Sequence, residues 1–314
     1  MEKKTNFIHL LLATLLIIIF SSWFFPKKSL KFKVLEPVKS SPLSRFDLSP
    51  LKGEVKLVIA GDVMLGRSVL TKADKSGDYS YPFKNIAETF KSGDIVFVNL
   101  EAPFFDNCPR TDSGMIFCTD YKMAEGLVAA GVDVVSLSNN HITNYGQEGI
   151  TQTKKLLDEK AISWTGLGKL VKKEVQGVSF GFLGFDFTSK ALSDMDLKLI
   201  ADSNLMVDIL VVGVHWGEEY RSNPSDNQRN WAKEMVAAGA DVIAGHHPHW
   251  VQEIEYIEGK PVFFSLGNLI FDQMWSENTK KGEVAQITFE NKNIKSIKTY
   301  QIYIGELGQP QIIE

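Results

Sequence analysis

Three histidines, His246, His247 and His249, stand within the stretch Gly245-His246-His247-Pro248-His249-Trp250, directly after the apolar run DVIAG. The chain has six histidines in all, and two more, His141 and His215, also follow short apolar runs. Imidazole is a favoured ligand for zinc, iron, manganese and copper, so this placement points to a metal centre; the plainer alternative is a His-rich surface loop. The other polar groups that close apolar runs are Asp62, Asn99, Glu101 and Asn140, with Asn268 close behind. Carboxylates, amide oxygens and imidazoles without a thiolate suit manganese, iron or zinc better than calcium, at one or two sites. His247 and His249 are two residues apart around Pro248, so in an extended loop both rings can face one side. Glu101 is placed to bridge two ions, and a two-metal site clamps the attacking and leaving oxygens of a phosphoester displacement.

Each of these residues also has a plainer reading. Asp62 after a strand could cap the next turn, and Asn139 and Asn140 could be turn residues that tolerate unusual backbone angles. His246 is the weakest of the trio and reads as a bystander. Glu218 and Glu219, after His215-Trp216-Gly217, read equally as a solvated loop or as part of a site. Arg67 could hold an anionic group with both arms of its guanidinium, or form a surface salt bridge.

The elements that must position these groups follow a rhythm. From Glu54 the chain runs helix, Gly stop, Asp, buried strand, polar cluster, at least three times, with the echo AAGVDVVSLSNNH and AAGADVIAGHHPH. VKLVIA, IVFV, VVSLS, VDILVVGV and VIAG are apolar enough to be buried on both faces. Between them PFKNIAETFKS (opening at Pro82), YKMAEGLVAA, QEGITQTKKLLDEK, Leu192 to Asn204 and NQRNWAKEMVAA carry helical spacing. ISWTG reads as a short strand, EVQGVSFGFLGF as a hairpin turning at Gln176-Gly177, PVFFSL as a strand ending in Gly267-Asn268, and EVAQITFE and IKSIKTYQIYI as two closing strands. Alternation of this kind predicts an α/β fold with covering helices, whose ligands bind beyond the carboxyl ends of the strands.

Ahead of this domain, residues 7–25 form an apolar run ended by Trp23-Phe24-Phe25-Pro26-Lys27-Lys28. Its nineteen residues are about the length of a membrane-spanning helix, and no small-residue cleavage site follows. We read 1–6 as a short tail, 7–25 as an uncleaved transmembrane signal anchor, 26–53 as a linker with four prolines, and 54–314 as the domain. Cys108 and Cys118 enclose nine residues, PRTDSGMIF. A local disulfide there would put the domain outside the cytoplasm, on a single-pass anchor in the cell membrane; two free thiols in a cytosolic loop are the alternative. A formal net charge of −4 gives no reason to expect nucleic acid.

The motifs GDVMLGR, VNLEAPF, SLSNNHITNYGQEGI, VVGVHWGEEY and GHHPHWVQEIEYIEGKPVFFSLGNLIFD, in that order from about Val55 to Asp272, resemble the capsule-synthesis CapA family, also called PgsA, of poly-γ-glutamate production. That family is similar to calcineurin-like metallophosphoesterases. The resemblance implies a four-layer β-sandwich flanked by helices and carrying a metal centre. Its metal residues would be Asp62, Glu101 (bridging), Asn140, His215, His247 and His249. His141 would be the catalytic residue that protonates a leaving group; Arg67, by its own chemistry rather than by the resemblance, is the candidate to orient an anion. It also implies a role in capsule or polyglutamate synthesis or export, an anionic polymer or phosphoester as substrate, and other synthase subunits as partners. Three positions depart from the pattern: Met64 stands where the wider phosphoesterases carry a histidine, Glu101 where they carry the bridging aspartate, and Asn144 where an aspartate is frequent in the CapA branch itself.

Overall fold

The computed structural model describes residues 53–313. The expected anchor over 7–25 and nearly all of the expected linker lie outside them; among the described residues no helix is long and apolar enough to cross a membrane.

Strands β1 (Glu54–Val63), β2 (Ile95–Leu100), β3 (Val134–Ser136) and β4 (Ser163–Thr165) are parallel neighbours in one sheet. Beyond β1 the sheet continues antiparallel through β12 (Lys281–Glu290), β13 (Asn293–Glu306) and β14 (Gln309–Ile312), while β11 (Asn268–Ile270) pairs with the end of β1. The second sheet has the order β5 (Val171–Val175), β6 (Val178–Asp186), β7 (Ile209–His215), β8 (Val242–His246), β10 (Lys260–Phe263), β9 (Ile254–Ile257). Its four inner strands are parallel.

The period-two alternation of β1 shows why the sheets stack. Leu57 and Ile59 face the second sheet, in a core shared with Phe97, Phe182, Val211 and Ala244; Val58 and Ala60 face helices. Those helices are α1 (Arg67–Ser76), α2 (Ala87–Lys91), α3 (Ala124–Ala130) and α4 (Gly146–Glu159). Over the other sheet lie α5 (Asp194–Asn204) and α6 (Asp226–Ala237), burying Ile200, Ala232 and Met235 on Leu210, Val212 and Ile243. The result is the expected four layers, helix, sheet, sheet, helix. The helix expected from Pro82 is instead a 3-10 turn, Tyr81–Phe83, followed by the short α2. Three brief strands, β9, β11 and β14, were not anticipated.

The recurring aspartate has a structural cause. Asp94, Asp133 and Asp241 each open a strand by exchanging two bonds with a residue of the neighbouring strand. The backbone N–H goes to that residue's carbonyl, and the carboxylate accepts its N–H: Lys56 at 2.8 Å, Val96 at 2.9 Å and Leu210 at 2.9 Å. Asp208 does the same to Ser179. The preceding stop at Gly131 takes φ 80°, a left-handed helix cap that favours glycine. Helices α5 and α6 instead begin with reciprocal caps, Ser193 with Asp196 and Ser225 with Gln228.

Gly245, just before the histidine loop, is required by close packing. A Cβ there would lie 2.1 Å from the carbonyl oxygen of Phe264 and 2.5 Å from that of Phe263. Gly245→Ala is therefore expected to lower stability by about 1–3 kcal/mol, read as a lower urea midpoint with an unchanged slope.

Candidate metal centre

The carboxyl ends of β1, β2, β3, β7 and β8 converge, and the expected residues converge with them. Asp62, on β1, is fully buried: its Oδ2 is 3.2 Å from His249 Nδ1 and accepts the backbone N–H of His247 at 3.3 Å. Glu101, one residue past β2, is equally buried, with Oε1 3.7 Å from His249 Nε2 and 3.9 Å from His141 Nε2. His215, the last residue of β7, has Nε2 3.1 Å from Asn140 Oδ1, and its ring centroid is 4.8 Å from that of His247. One oxygen of Asp62, one of Glu101 and one nitrogen of His249 all fall within 4.8 Å of one another.

Three amides orient these groups. Asn99 donates from Nδ2 to Asp62 Oδ1 at 2.9 Å and faces His215 Nδ1 at 3.3 Å; its own oxygen accepts from Asn139 Nδ2 at 3.1 Å. Asn268 donates to the carbonyl of Thr279 and to Gln273, so its oxygen is the atom 3.0 Å from His249 Nδ1. That nitrogen therefore carries the proton and Nε2 keeps its lone pair toward Glu101. Asn144 works likewise on His141: its oxygen accepts the N–H of Phe117 at 2.6 Å and lies 3.0 Å from His141 Nδ1, leaving Nε2 for the centre.

The electrostatics call for a positive charge among these groups. Burial opposes the ionisation of Asp62, yet contacts with His246 and His249 outweigh it and hold the carboxyl well below the usual range. Burial pushes Glu101 well above its ordinary value, and the charge of Asp62 adds to the effect. Burial, then the proximity of His247, holds His215 well below an ordinary histidine; burial lowers His141 also and brings His247 down to about 4. Four buried polar atoms here make no hydrogen bond: Glu101 Oε1, His247 Nδ1 and both ring nitrogens of His246. Ligands sharing one ion at about 2.1 Å stand about 3.0–3.5 Å apart, the spacing of His215 Nε2 and Asn140 Oδ1. Neutral imidazoles, orphaned acceptors and this spacing fit a divalent cation.

Two expectations need correction. Arg67 does not face an anion site: Nε donates to Asp272 Oδ2 at 3.1 Å, the other arm of the fork binds Asp272 Oδ1, Nη1 donates to the carbonyl of Gly114 at 2.8 Å, and the guanidinium lies over the Phe117 ring. The ion-pair alternative describes it, but the pair is largely buried rather than at the surface. His246 is no bystander: its ring is buried, with Nδ1 3.2 Å from Asp62 Oδ1. Strand alternation hides this, because His246 ends β8 and His247 turns through φ 94°. Met64 is buried and its sulfur accepts the Gly66 N–H at 3.1 Å.

Cys108 and Cys118 form a disulfide, with 5.8 Å between their Cα atoms. The residue before Cys118, Phe117, stacks on the His141 ring at 3.9 Å between centroids. A groove of about 550 Å³, lined among others by Asn140, Thr143, Asp186, Thr188 and Lys190, runs up to the centre.

Residues 56–273 match the family model described as bacterial capsule synthesis protein PGA_cap. The chain is 31% identical over 287 residues to the capsule biosynthesis protein CapA of Bacillus anthracis, covering 82% of this chain and 69% of that one. It is 32% identical over 240 residues to the PGA biosynthesis protein CapA of Bacillus subtilis strain 168, covering 69% of this chain and 63% of that one. Among solved structures, a hypothetical protein from Thermus thermophilus superposes with a TM-score of 0.54 at 15% identity, over 79% of this chain and 98% of that one. The last is a likeness of fold alone.

Reducing the Cys108–Cys118 disulfide is expected to lower stability by about 2–3 kcal/mol, from the loop it closes, measured by thermal melting with and without reductant. The histidines give a second test. His247 falls from its ordinary 6.5 to about 4 on folding, so the unfolded chain binds more protons between those values. Its contribution to stability is present above pH 6.5 and is lost as the pH falls toward 4. Urea midpoints of the metal-free protein should therefore drop over this window, and drop less in His247→Asn; parallel curves for the two would refute the assignment.

Proposed function

The chain belongs to the family of bacterial capsule synthesis proteins, and from that premise we propose that it serves capsule or poly-γ-glutamate synthesis or export as a membrane-anchored, metal-dependent hydrolase of phosphoester type. The observation that carries the reading is the convergence of Asp62, Glu101, Asn140, His141, His215, His247 and His249 at one sheet edge, with acceptors that no protein donor satisfies. Manganese, iron or zinc, held by the six of these other than His141, would polarise a phosphoryl oxygen and acidify a coordinated water.

The remaining work falls to the chain's own side chains. Asn144 holds the ring's own proton at Nδ1 and Phe117 fixes its plane, so His141 Nε2 first takes up a proton from solvent and then, as the imidazolium, hands it to the leaving oxygen. Burial lowers the pKa of His141, and the bond from Asn144, which raises it, offsets that only in part. The groove beside Asn140 carries Asp186, Asp196 and one lysine, Lys190, which pairs with Asp196. An anionic substrate there would depend on the metal, more than on the groove walls, for its neutralisation.

The apolar run over 7–25 and the disulfide support an anchored domain on the oxidising side of the membrane. The names of the two Bacillus relatives support partnership with other capsule or polyglutamate synthase subunits. A second reading, ligand binding without turnover, is favoured by Met64, whose thioether takes a backbone N–H where the resemblance implies an imidazole.

Metal analysis of the purified chain, paired with hydrolysis of a generic phosphodiester, tests both. Turnover should follow bound metal and fall about 10²–10⁴-fold in His141→Gln with metal content retained. Metal binding without turnover would favour the second reading. Equal, negligible metal in wild type and His247→Ala, with no cleavage by either, would end both.

A further inference from the structure

We propose that Glu219 is a metal ligand in this chain, forming with His247 and His249 a cation-binding locus beside that of Asp62 and Glu101. The proposal rests on the metal-centre reading above and adds to it a residue outside the set that the resemblance implies.

The argument begins with the turn after β7. Gly217 takes φ 81° and Tyr220 φ 61°, and between them the chain folds back over the histidine loop. Two backbone bonds join the two segments: Trp216 donates to the carbonyl of His246 at 3.1 Å, and Tyr220 to that of Pro248 at 2.8 Å. Glu219 is thus held against the His247-Pro248-His249 segment by its neighbour's main chain.

The two consecutive glutamates then part company. Glu218 is the solvated one: its carboxylate accepts from Arg221 Nε at 3.0 Å, and its side chain is 71% exposed. Glu219 is half-buried, and one of its oxygens lies within 4.8 Å of a nitrogen of His247 and a nitrogen of His249, which are as close to each other.

The histidines carry the independent signs of a ligand. His247 Nδ1 is buried and makes no hydrogen bond. His247 and His249 hold φ of 94° and 58°, left-handed values that a β-carbon disfavours, and the surrounding bonds keep them there. A buried, unbonded ring nitrogen on a segment strained in this way is accounted for when the three donors share an ion. A carboxylate also supplies a donor in a set that lost an imidazole at Met64, and it shifts the preference toward a harder ion such as manganese.

The test is binding of Mn²⁺ alone to the full-length chain in detergent, by electron paramagnetic resonance and calorimetry, for wild type, Glu219→Gln, Glu219→Ala and Glu218→Gln. Both Glu219 variants should weaken Mn²⁺ by about tenfold or more with unchanged melting of the metal-free protein, while Glu218→Gln binds as wild type. Weakening in Glu219→Ala alone would mark a packing role and overturn the assignment. Wild-type affinity in both Glu219 variants, alongside loss in His247→Ala, would remove Glu219 and leave the centre standing. No Mn²⁺ or Zn²⁺ binding by wild type would remove both.

Discussion

Two carboxylates buried side by side are the constraint on which the architecture turns. Asp62 and Glu101 leave the ends of adjacent parallel strands, both out of contact with solvent. Water cannot stabilise them there, and among the described residues no lysine or arginine pairs with them; Arg67, the nearest candidate in sequence to Asp62, is spent on Asp272. Such a pair is tolerable only if one member keeps a proton or a cation joins them. The rest of the edge is arranged to make the second solution available. Imidazoles approach from the ends of three other strands, β3, β7 and β8, and amides, which carry no charge of their own, fill the spaces between.

Those amides matter more than their neutrality suggests. Asn144 and Asn268 each hold Nδ1 of an imidazole, and each has its own orientation fixed by a backbone partner, Phe117 N–H in one case and the Thr279 carbonyl in the other. A histidine whose tautomer is set from behind loses no energy choosing one when its lone pair is needed. Asn99 performs a related service, tying the strand-end carboxylate of β1 to the ring of β7 across the sheet-sheet interface. The site is therefore specified by second neighbours drawn from both sheets, which is why it lies where the sheets meet at one end.

Much of this was legible in the residues because its physics is local or periodic. Buried parallel strands are apolar without alternation, so VIAG and VVGV stand out, and a polar residue ending such a run has no reason to be there unless it faces something. What escaped reading depends on direction in three dimensions. His246 and His247 are adjacent, and nothing in their order says which ring turns under Asp62. Arg67 sits near GDVMLG in the sequence, but its partner is 205 positions away. The 3-10 turn at Tyr81–Phe83 and the strands β9, β11 and β14 are too short for a period to register. Glu218 and Glu219 are chemically identical, and only the main chain's path separates solvent from site.

The aspartates that open β2, β3, β7 and β8 carry a consequence for the history of such a molecule. They clamp the sheets at the end opposite the chemistry, each fixing one strand's alignment against the next through two bonds. Stability of alignment and composition of the site are thereby assigned to opposite poles of the same strands. Loops at the reactive pole can lengthen, shorten or exchange residues without asking the sheets to slip, as the Cys108–Cys118 excursion illustrates. A scaffold divided in this way can drift among substrates while remaining the same scaffold.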